Sequence, residues 1–260
     1  MEKINPFRGT LIFLSLLVTL LLIIAIGAFF YVPQWSDVMK NLFSEEMKFS
    51  LRLSLWTGLV STVLVVFFSI PIGYALSRYD FMGKSIVKAI IDLPVAFPEL
   101  VLGLALLLLF GNTPIGTALK SIGLNFVFTQ KGVVAAQFFT ALPYSIRILK
   151  STFDYINPRY EFISRSLGYG QGETFLKVSL PMAKNGLIAS IVISFARCIG
   201  TFGTVLILAG GSAGITNTLP ITLYLNISYG NMGMALTSGI ILISVSFLAI
   251  FIFEKTEASI

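Results

Sequence analysis

Two ionisable side chains, Arg197 and Glu99, stand in long apolar stretches of this sequence and are its first candidates for chemistry. A charge in a lipid-like environment costs about 2.5–3.5 kcal/mol on insertion scales, so such groups are commonly functional or paired. Arg197 and Glu99 therefore either line or gate a pathway or form a structural pair, and Arg197 has the further option of reaching the inner membrane face. The hydroxyl groups of Ser194, Thr201 and Thr204 serve either the same pathway or ordinary helix packing.

Two short patterns resemble catalytic motifs, but their surroundings do not favour catalysis. Residues 210–214 have the Gly-x-Ser-x-Gly spacing of a nucleophile elbow, which needs a base beside Ser212. The sequence contains no histidine, which removes His bases and His-ligated metals. Residues 83–85 (GKS) end like a phosphate-binding loop, yet Arg78 stands where its first glycine is required. We therefore predict no catalytic residue, no metal site and no cofactor bound by this chain.

The composition predicts a membrane protein, because 56% of the residues are hydrophobic and the mean hydropathy is +0.90. A helix that crosses a bilayer needs about 20 apolar residues, and lipid cannot satisfy an open backbone. The polar connections leave room for about six such helices. We predict an all-α polytopic membrane protein with one domain over residues 1–260. The predicted spans are residues 10–32, 53–76, 90–110, 132–153, 183–209 and 232–253.

Basic residues predict the orientation of these spans, since cytoplasmic segments carry the excess of lysine and arginine. With the N-terminus inside, the inner segments contain Lys3, Arg8, Arg78, Lys84, Lys88, Arg147, Lys150, Arg159, Arg165, Lys177, Lys184 and Lys255, and the outer segments contain Lys40, Lys48, Arg52, Lys120 and Lys131. This asymmetry predicts cytoplasmic termini in the cell membrane. The net charge of +6 is explained by topology, and we expect no nucleic-acid partner.

The longest polar stretch, residues 159–181, lies between the predicted fourth and fifth spans and on the cytoplasmic side. Its sequence, RYEFISRSLGYGQGETFLKVSLP, indicates two short helices separated by glycines and ended by Pro181. A simple connector needs only a few residues. A structured polar insert of this length predicts a docking surface for another protein.

The same stretch resembles the cytoplasmic EAA loop of permease subunits in binding-protein-dependent ABC importers. In that pattern a glycine is followed by nine residues, an aliphatic residue, any residue and Leu-Pro. Here Gly168 is followed, after nine residues, by Val178, Ser179, Leu180 and Pro181. Proline suits the start of the next helix, where its missing N–H is harmless. We call residues 159–181 the coupling loop.

The opening of the coupling loop departs from the family pattern. The family's glutamate usually lies six residues before the glycine, where this chain has Phe162, and Glu161 lies one position earlier. Ile163 and Ser164 replace the usual pair of alanines. The resemblance implies that contact with an ATPase is made by Arg159, Glu161, Phe162, Ser164, Arg165, Leu167, Gly168, Val178, Leu180 and Pro181.

Within the family, the molybdate/tungstate and sulfate permeases are the most similar, over about residues 50–255. The segments IDLPVAFPELVLGLALLLLFG and SFARCIGTFGT are similar to their third and fifth spans. Those permeases often carry glutamate at the position of Thr201. The resemblance therefore implies an importer of molybdate or tungstate, with sulfate or thiosulfate as the alternative.

The resemblance also implies the partners and the mechanism. A homodimer would be joined by two ATPase subunits that bind ATP and Mg²⁺ inside and by a substrate-binding protein outside, and transport would proceed by alternating access. An ion-coupled carrier or channel is the contrasting hypothesis and would work without an ATPase. A membrane enzyme would need a catalytic constellation that the sequence does not offer.

Overall fold

The structure, a computed structural model, describes residues 6–257 of the chain. Lys3, used above to predict the orientation, lies outside these residues, as do the first five and the last three positions of the predicted domain. The described part is built from helices, which confirms the predicted all-α fold. The helices are α1 (Pro6–Tyr31), α2 (Trp35–Leu42), α3 (Glu45–Arg78), α4 (Lys84–Ala96), α5 (Glu99–Asn112), α6 (Pro114–Ser121), α7 (Gln130–Tyr155), α8 (Arg159–Ser166), α9 (Gln171–Thr174), α10 (Leu180–Met182), α11 (Lys184–Gly200), α12 (Gly203–Ala209), α13 (Leu219–Ser228) and α14 (Met232–Glu257), with a π-helical segment at Phe175–Ser179.

Four of these helices, α1, α3, α7 and α14, are long and apolar enough to cross a membrane. Two bent units, α4 with α5 and the helices of Gln171–Met182 with α11, raise the number to six if each unit counts as one span. The predicted number of about six spans therefore agrees with the fold, but two of the spans are not simple rods.

The third predicted span, residues 90–110, is broken in the structure. Helices α4 and α5 meet at a bend of 115°. Phe97 is extended, with φ −81° and ψ 143°, because the ring of Pro98 disfavours helical geometry in the residue before it. Helix α5 alone is about 21 Å long at 1.5 Å per residue, which is shorter than the hydrocarbon core.

The fifth predicted span, residues 183–209, is also interrupted. Helix α11 ends at Gly200, Thr201 is extended with φ −65° and ψ 121°, and α12 begins at Gly203. By contrast, Pro71 and Pro143 lie inside helices that continue through them. The breaks at Phe97–Pro98 and at Thr201–Phe202 lie side by side, as described below.

Helix α3 packs on α7 through small buried residues, which lets the two backbones approach closely. A Cβ atom added at Gly73 would lie 3.0 Å from Cβ of Leu149 on α7. The buried amide of Gln137 joins the same helices, accepting from the Ser61 hydroxyl at 2.9 Å and donating to the Thr57 hydroxyl at 3.2 Å. Small and polar contacts of this kind fix α3 against α7, and the end of this pair that contains Arg78 supports the coupling loop.

Candidate functional site

Gly168 makes the turn inside the coupling loop. Its φ of +97° is left-handed, a conformation that costs other residues about 1–2 kcal/mol. Around it, the N–H of Gly168 donates to the carbonyl of Arg165, and the N–H of Tyr169 donates to the carbonyl of Ser164. These bonds satisfy the last carbonyls of α8, as a left-handed glycine does at many helix ends. A Cβ at Gly168 would meet nothing within 4 Å, so backbone conformation alone explains the glycine.

Glu161 attaches α8 to the membrane helices. Its carboxylate accepts a hydrogen bond from Nε of Arg78 at 2.7 Å, from the Tyr74 hydroxyl at 3.1 Å and from the Ser179 hydroxyl at 2.9 Å. Only 6% of Glu161 is exposed. Arg78 also donates to the carbonyl of Ile156 at 2.8 Å, so one buried ion pair joins α3, the end of α7, α8 and the π-helical segment. A movement of α8 must therefore be shared by these elements.

The second half of the coupling loop packs against the same point. The ring of Phe175 lies 4.6 Å from that of Tyr74, measured between centroids, and the hydroxyls of Ser164 and Thr174 are 3.1 Å apart. The segment Phe175–Ser179 is π-helical, a rare geometry that is often found at functional sites. In this chain it ends at the hydroxyl that binds Glu161.

The glycine-rich middle of the loop is ordered by Glu173. Its carboxylate accepts from the N–H of Gly170 at 3.1 Å and from Nζ of Lys177 at 3.3 Å. These two donors hold the pKa of the Glu173 carboxyl below its usual value. Because this group is exposed and its partners lie within the loop, it organises the loop locally rather than anchoring it to the helices.

The exposed side of α8 and its C-cap carry three large apolar side chains. Phe162 and Leu167 are 66% and 74% exposed, and Ile163 is exposed beside them. Arg159 and Arg165 border these side chains and are also exposed. Exposed apolar side chains with a charged rim mark protein contact sites. We call Phe162, Ile163 and Leu167 the apolar docking face.

The structure thus separates the predicted coupling residues into two groups. Glu161 and Ser164 are buried: Glu161 attaches the loop to α3, and Ser164 joins the two halves of the loop through Thr174. The others reach the surface: Arg159, Phe162, Arg165, Leu167, Gly168 and Pro181 are exposed, and Val178 and Leu180 are half-buried. Sequence reasoning missed Tyr74 and Arg78 as partners of Glu161. The basic Arg78 was visible at the end of the second span, but its pairing with a residue 83 positions later was not.

Glu99 holds the two helix breaks together. Its Oε2 accepts from the N–H of Gly203 at 2.9 Å and of Phe202 at 3.2 Å, which places a carboxylate at the N-terminus of α12. The Thr204 hydroxyl donates to the carbonyl of Glu99 at 3.0 Å. A Cβ at Gly203 would lie 2.9 Å from Cβ of Glu99, so glycine permits this approach.

Arg197 makes a different contact. Its guanidinium lies 4.1 Å above the centroid of the Tyr144 ring and also contacts the Tyr144 hydroxyl. Among the ion pairs of residues 6–257, none joins Arg197 to Glu99, so the structural pair that the sequence allowed is not formed. Arg197 is exposed on this chain.

The other pathway candidates are buried in helix packing. Ser194, Thr201 and Thr204 are at most 1% exposed, and the hydroxyls of Thr201 and Thr204 are hydrogen-bonded to Arg197 and Glu99 carbonyls. Arg197 and half-buried Glu99 are therefore the two candidates that reach the surface of this conformation.

Bent spans around a carboxylate-capped break, together with a polar loop anchored beneath them, define a multi-pass membrane permease. The chain belongs to the family described as the binding-protein-dependent transport system inner membrane component, whose model matches residues 69–259. It is therefore the transmembrane subunit of an ABC importer, a family in which a separate ATPase hydrolyses ATP. The family predicted from the coupling loop is confirmed.

Curated relatives lie among oxyanion permeases. The chain is 33% identical over 215 residues to the molybdate/tungstate transport system permease protein WtpB of Methanocaldococcus jannaschii, covering 82% of this chain and 83% of the relative. It is 32% identical over 216 residues to the sulfate transport system permease protein CysW of Synechococcus elongatus, covering 81% and 76%.

Solved structures show the same fold. The crystal structure of a bacterial ABC transporter that imports the polysaccharide alginate contains a chain that matches with a TM-score of 0.75. The match covers 97% of this chain and 96% of the other at 15% identity. At this identity the likeness establishes the permease fold and not the substrate.

Proposed function

We propose that two copies of this chain form the membrane passage of an ABC importer for molybdate or tungstate. The observation that carries the coupling part of this proposal is the buried Arg78–Glu161 pair, because it fixes helix α8, which carries the apolar docking face, to the membrane helices. The oxyanion is supported by the 33% identity to a molybdate/tungstate permease over most of both chains.

The coupling loop is the contact for the ATPase in this proposal. The apolar docking face would enter a groove of the ATPase, with Arg159 and Arg165 at its rim. When ATP and Mg²⁺ bind to the ATPase pair and close it, α8 moves. The Glu161 carboxylate passes that movement to α3 through Arg78 and to α11 through the segment that ends at Pro181. The passage then opens alternately to the two sides.

The partners follow from the family and from the fold. The described residues supply up to six spans, and in this proposal a second copy completes the passage. A substrate-binding protein would deliver the oxyanion from outside. In support, a matching alginate transporter structure is described in complex with an alginate pentasaccharide-bound periplasmic protein. Helix α1, whose apolar side chains are almost all exposed on this chain, would lie against lipid or a partner chain.

The proposed orientation has the coupling loop and both termini in the cytoplasm. Arg78 and Arg165 line one cavity at the end of the helices where the coupling loop lies, as expected for a cytoplasmic surface. The family description places such components in the inner membrane.

Sulfate or thiosulfate is the second candidate substrate, favoured by the 32% identity to a sulfate permease. The two candidate substrate classes are distinguished by measuring which anion is taken up by proteoliposomes that contain this chain, its ATPase and its binding protein. We expect ATP-driven uptake of radioactive tungstate or molybdate that a hundredfold excess of sulfate does not abolish. Uptake of sulfate with no uptake of molybdate or tungstate would replace the proposed substrate while leaving the transporter class intact.

A further inference from the structure

Four polar side chains form a cluster on one exposed face of the membrane helices. On α7, Tyr144 and Arg147 lie one turn apart. Arg197 of α11 covers the Tyr144 ring, and Nε of Arg147 donates to the Asp92 carboxylate of α4 at 2.7 Å. The side chains of Arg147 and Asp92 are 54% and 39% exposed. We call these four residues the polar cluster.

The polar cluster lies deep in the predicted spans. At a rise of 1.5 Å per residue, Tyr144 is about 16 Å from the Tyr155 end of α7, and Arg197 is about 20 Å from the Lys184 end of α11. Tyr144 lies near the middle of α7, and Arg197 lies in the last turn of α11, which α12 follows within the predicted fifth span, so neither is at a helix end that leads directly into a polar connection. Charged groups at this depth almost always face a bundle interior or a water-filled cavity rather than lipid. The face that carries the cluster is thus a passage or a contact with the second copy.

The two arginines of the polar cluster differ in whether an acid neutralises them. Asp92 neutralises Arg147, with the two groups in direct contact. Arg197 has a neutral tyrosine as its partner and forms none of the ion pairs found in residues 6–257. Each copy therefore presents one guanidinium that is not neutralised, and two copies present two.

Tyr144 also fixes the orientation of that guanidinium. A guanidinium over an aromatic ring is held by cation–π attraction, and one Nη of Arg197 also donates to the Tyr144 hydroxyl, which leaves its remaining N–H groups for other acceptors. Guanidinium edges bind the oxygens of tetrahedral anions through charge-assisted hydrogen bonds. A guanidinium in contact with water binds an anion more weakly than one buried away from water. Weak binding suits a passage that must release what it binds.

We propose that Arg197 contacts the oxyanion during translocation and that the two copies of Arg197 match its two negative charges. Tyr144 is a positioning residue in this proposal, because it holds Arg197 without touching the anion. The inference rests on the proposed function, since it assigns the site at which the carried oxyanion binds.

The first test uses the complete complex of this chain, its ATPase and its binding protein in proteoliposomes. We expect Arg197→Gln to lower tungstate uptake about tenfold or more while ATP hydrolysis stimulated by loaded binding protein persists, because a charge-assisted contact is lost but coupling is not. Arg197→Lys should be intermediate, since it keeps the charge and loses the fork. The matched control is Arg52→Gln, which removes an exposed arginine of α3 outside the cluster and should leave uptake within about twofold.

The second test restores charge chemically at the same position. An Arg197→Cys chain is treated with a cationic aminoethyl or an anionic sulfonatoethyl methanethiosulfonate, with the unaltered chain as background because Cys198 is buried. We expect both charged reagents to react, since the position faces water, and only the cationic product to regain uptake. No reaction, or equal recovery with both reagents, would overturn the inference.

The outcomes separate this inference from the proposed function. If the unaltered complex carries no oxyanion, the proposed function fails. If that complex carries tungstate and the Arg197→Gln complex carries it equally fast, only the inference fails. Separation of the Arg197→Gln complex into single copies would identify Arg197 as a subunit contact and would likewise overturn the anion role.

Discussion

The guanidinium of Arg78 and the carboxylate of Glu161 lie 2.7 Å apart, with side chains only 9% and 8% exposed. This pair joins the last turn of a membrane-crossing helix to the first turn of the coupling loop. Because both charges are buried, removing one leaves the other uncompensated, which is far more costly than losing an exposed pair. The contact is therefore suited to transmit force between the loop and the membrane helices.

We expect Arg78→Gln to detach α8 and to abolish ATP-dependent uptake, because loss of one partner of a buried pair costs about 3–5 kcal/mol. The direct measurement is tryptic cleavage at Arg159 and Arg165, which should accelerate when α8 is released. Glu173→Gln serves as the control, since the Glu173–Lys177 pair is exposed and its loss should leave cleavage unchanged. A cleavage rate in Arg78→Gln equal to that of the unaltered chain would show that the pair does not anchor the loop.

A double variant tests whether the two residues act as one unit. Replacing both Arg78 and Glu161 by leucine removes both charges, so no buried charge remains unpaired. We expect the double variant to be more resistant to trypsin than the summed effects of the two single leucine variants predict. Strict additivity would mean that the two side chains support the loop independently.

Gly168 and Gly172 offer a matched pair of glycines for testing the turn. A Cβ at either position meets nothing within 4 Å, but only Gly168 has a left-handed backbone. We expect Gly168→Val to strain the turn by about 1–2 kcal/mol or more and to reduce transport per ATP hydrolysed, with membrane insertion unchanged. Gly172→Ala should have little effect because it lies in a helix. Undiminished coupling in Gly168→Val would contradict a docking role for this turn.

The apolar docking face predicts where the ATPase binds. We expect Phe162→Ser and Leu167→Ser each to weaken ATPase binding by about 2 kcal/mol if they are central anchors of the interface, without altering the melting temperature of the membrane subunit in detergent. Ile122→Ser, which replaces an equally exposed apolar residue far from the loop in sequence, is the control. Co-purification of the ATPase from detergent should be weakened by the two docking-face variants and not by Ile122→Ser. Equal weakening by all three variants would show that the apolar docking face is not part of the ATPase interface.

The cap on α12 gives a prediction about stability. Glu99→Ala should lower thermal stability by about 0.5–2 kcal/mol, because the N–H groups of Phe202 and Gly203 lose their acceptor. Glu99→Gln keeps one acceptor oxygen and should cost less. Equal melting temperatures for the alanine variant and the unaltered chain would show that this contact does not stabilise the two helix breaks.

Hydropathy and loop charge were sufficient to predict the helical class and about six spans, since the cost of burying a polar backbone in lipid leaves few alternatives. They could not predict the bend of 115° at Phe97–Pro98, because a proline in an apolar run is compatible with a kink, a break or a smooth helix. The sequence contains even less indication of the interruption at Thr201, since that interruption is stabilised by Glu99, which reaches the start of α12 from another helix.

The glycine turn between two short helices of the coupling loop was predictable, because a left-handed turn favours glycine, while the coupling role stays a prediction. Which face of α8 is buried could not be predicted from the sequence. Phe162 stands where the family usually has its glutamate, but the structure buries Glu161 and exposes Phe162. Successive side chains of a helix point about 100° apart, so whether residue 161 or residue 162 is buried depends on where Arg78 and Tyr74 lie in the fold. The Arg197–Tyr144 contact was hidden for the same reason.

The central claim, that this chain moves an oxyanion only when an ATPase drives its coupling loop, is tested most directly by tungstate uptake into proteoliposomes. Vesicles with this chain alone are compared with vesicles that also contain the ATPase and the loaded binding protein, each with and without ATP and Mg²⁺. We expect uptake only in the complete, ATP-supplied vesicles. Uptake of tungstate by the chain alone, at the same rate with or without ATP, would contradict the account and indicate a carrier or a channel.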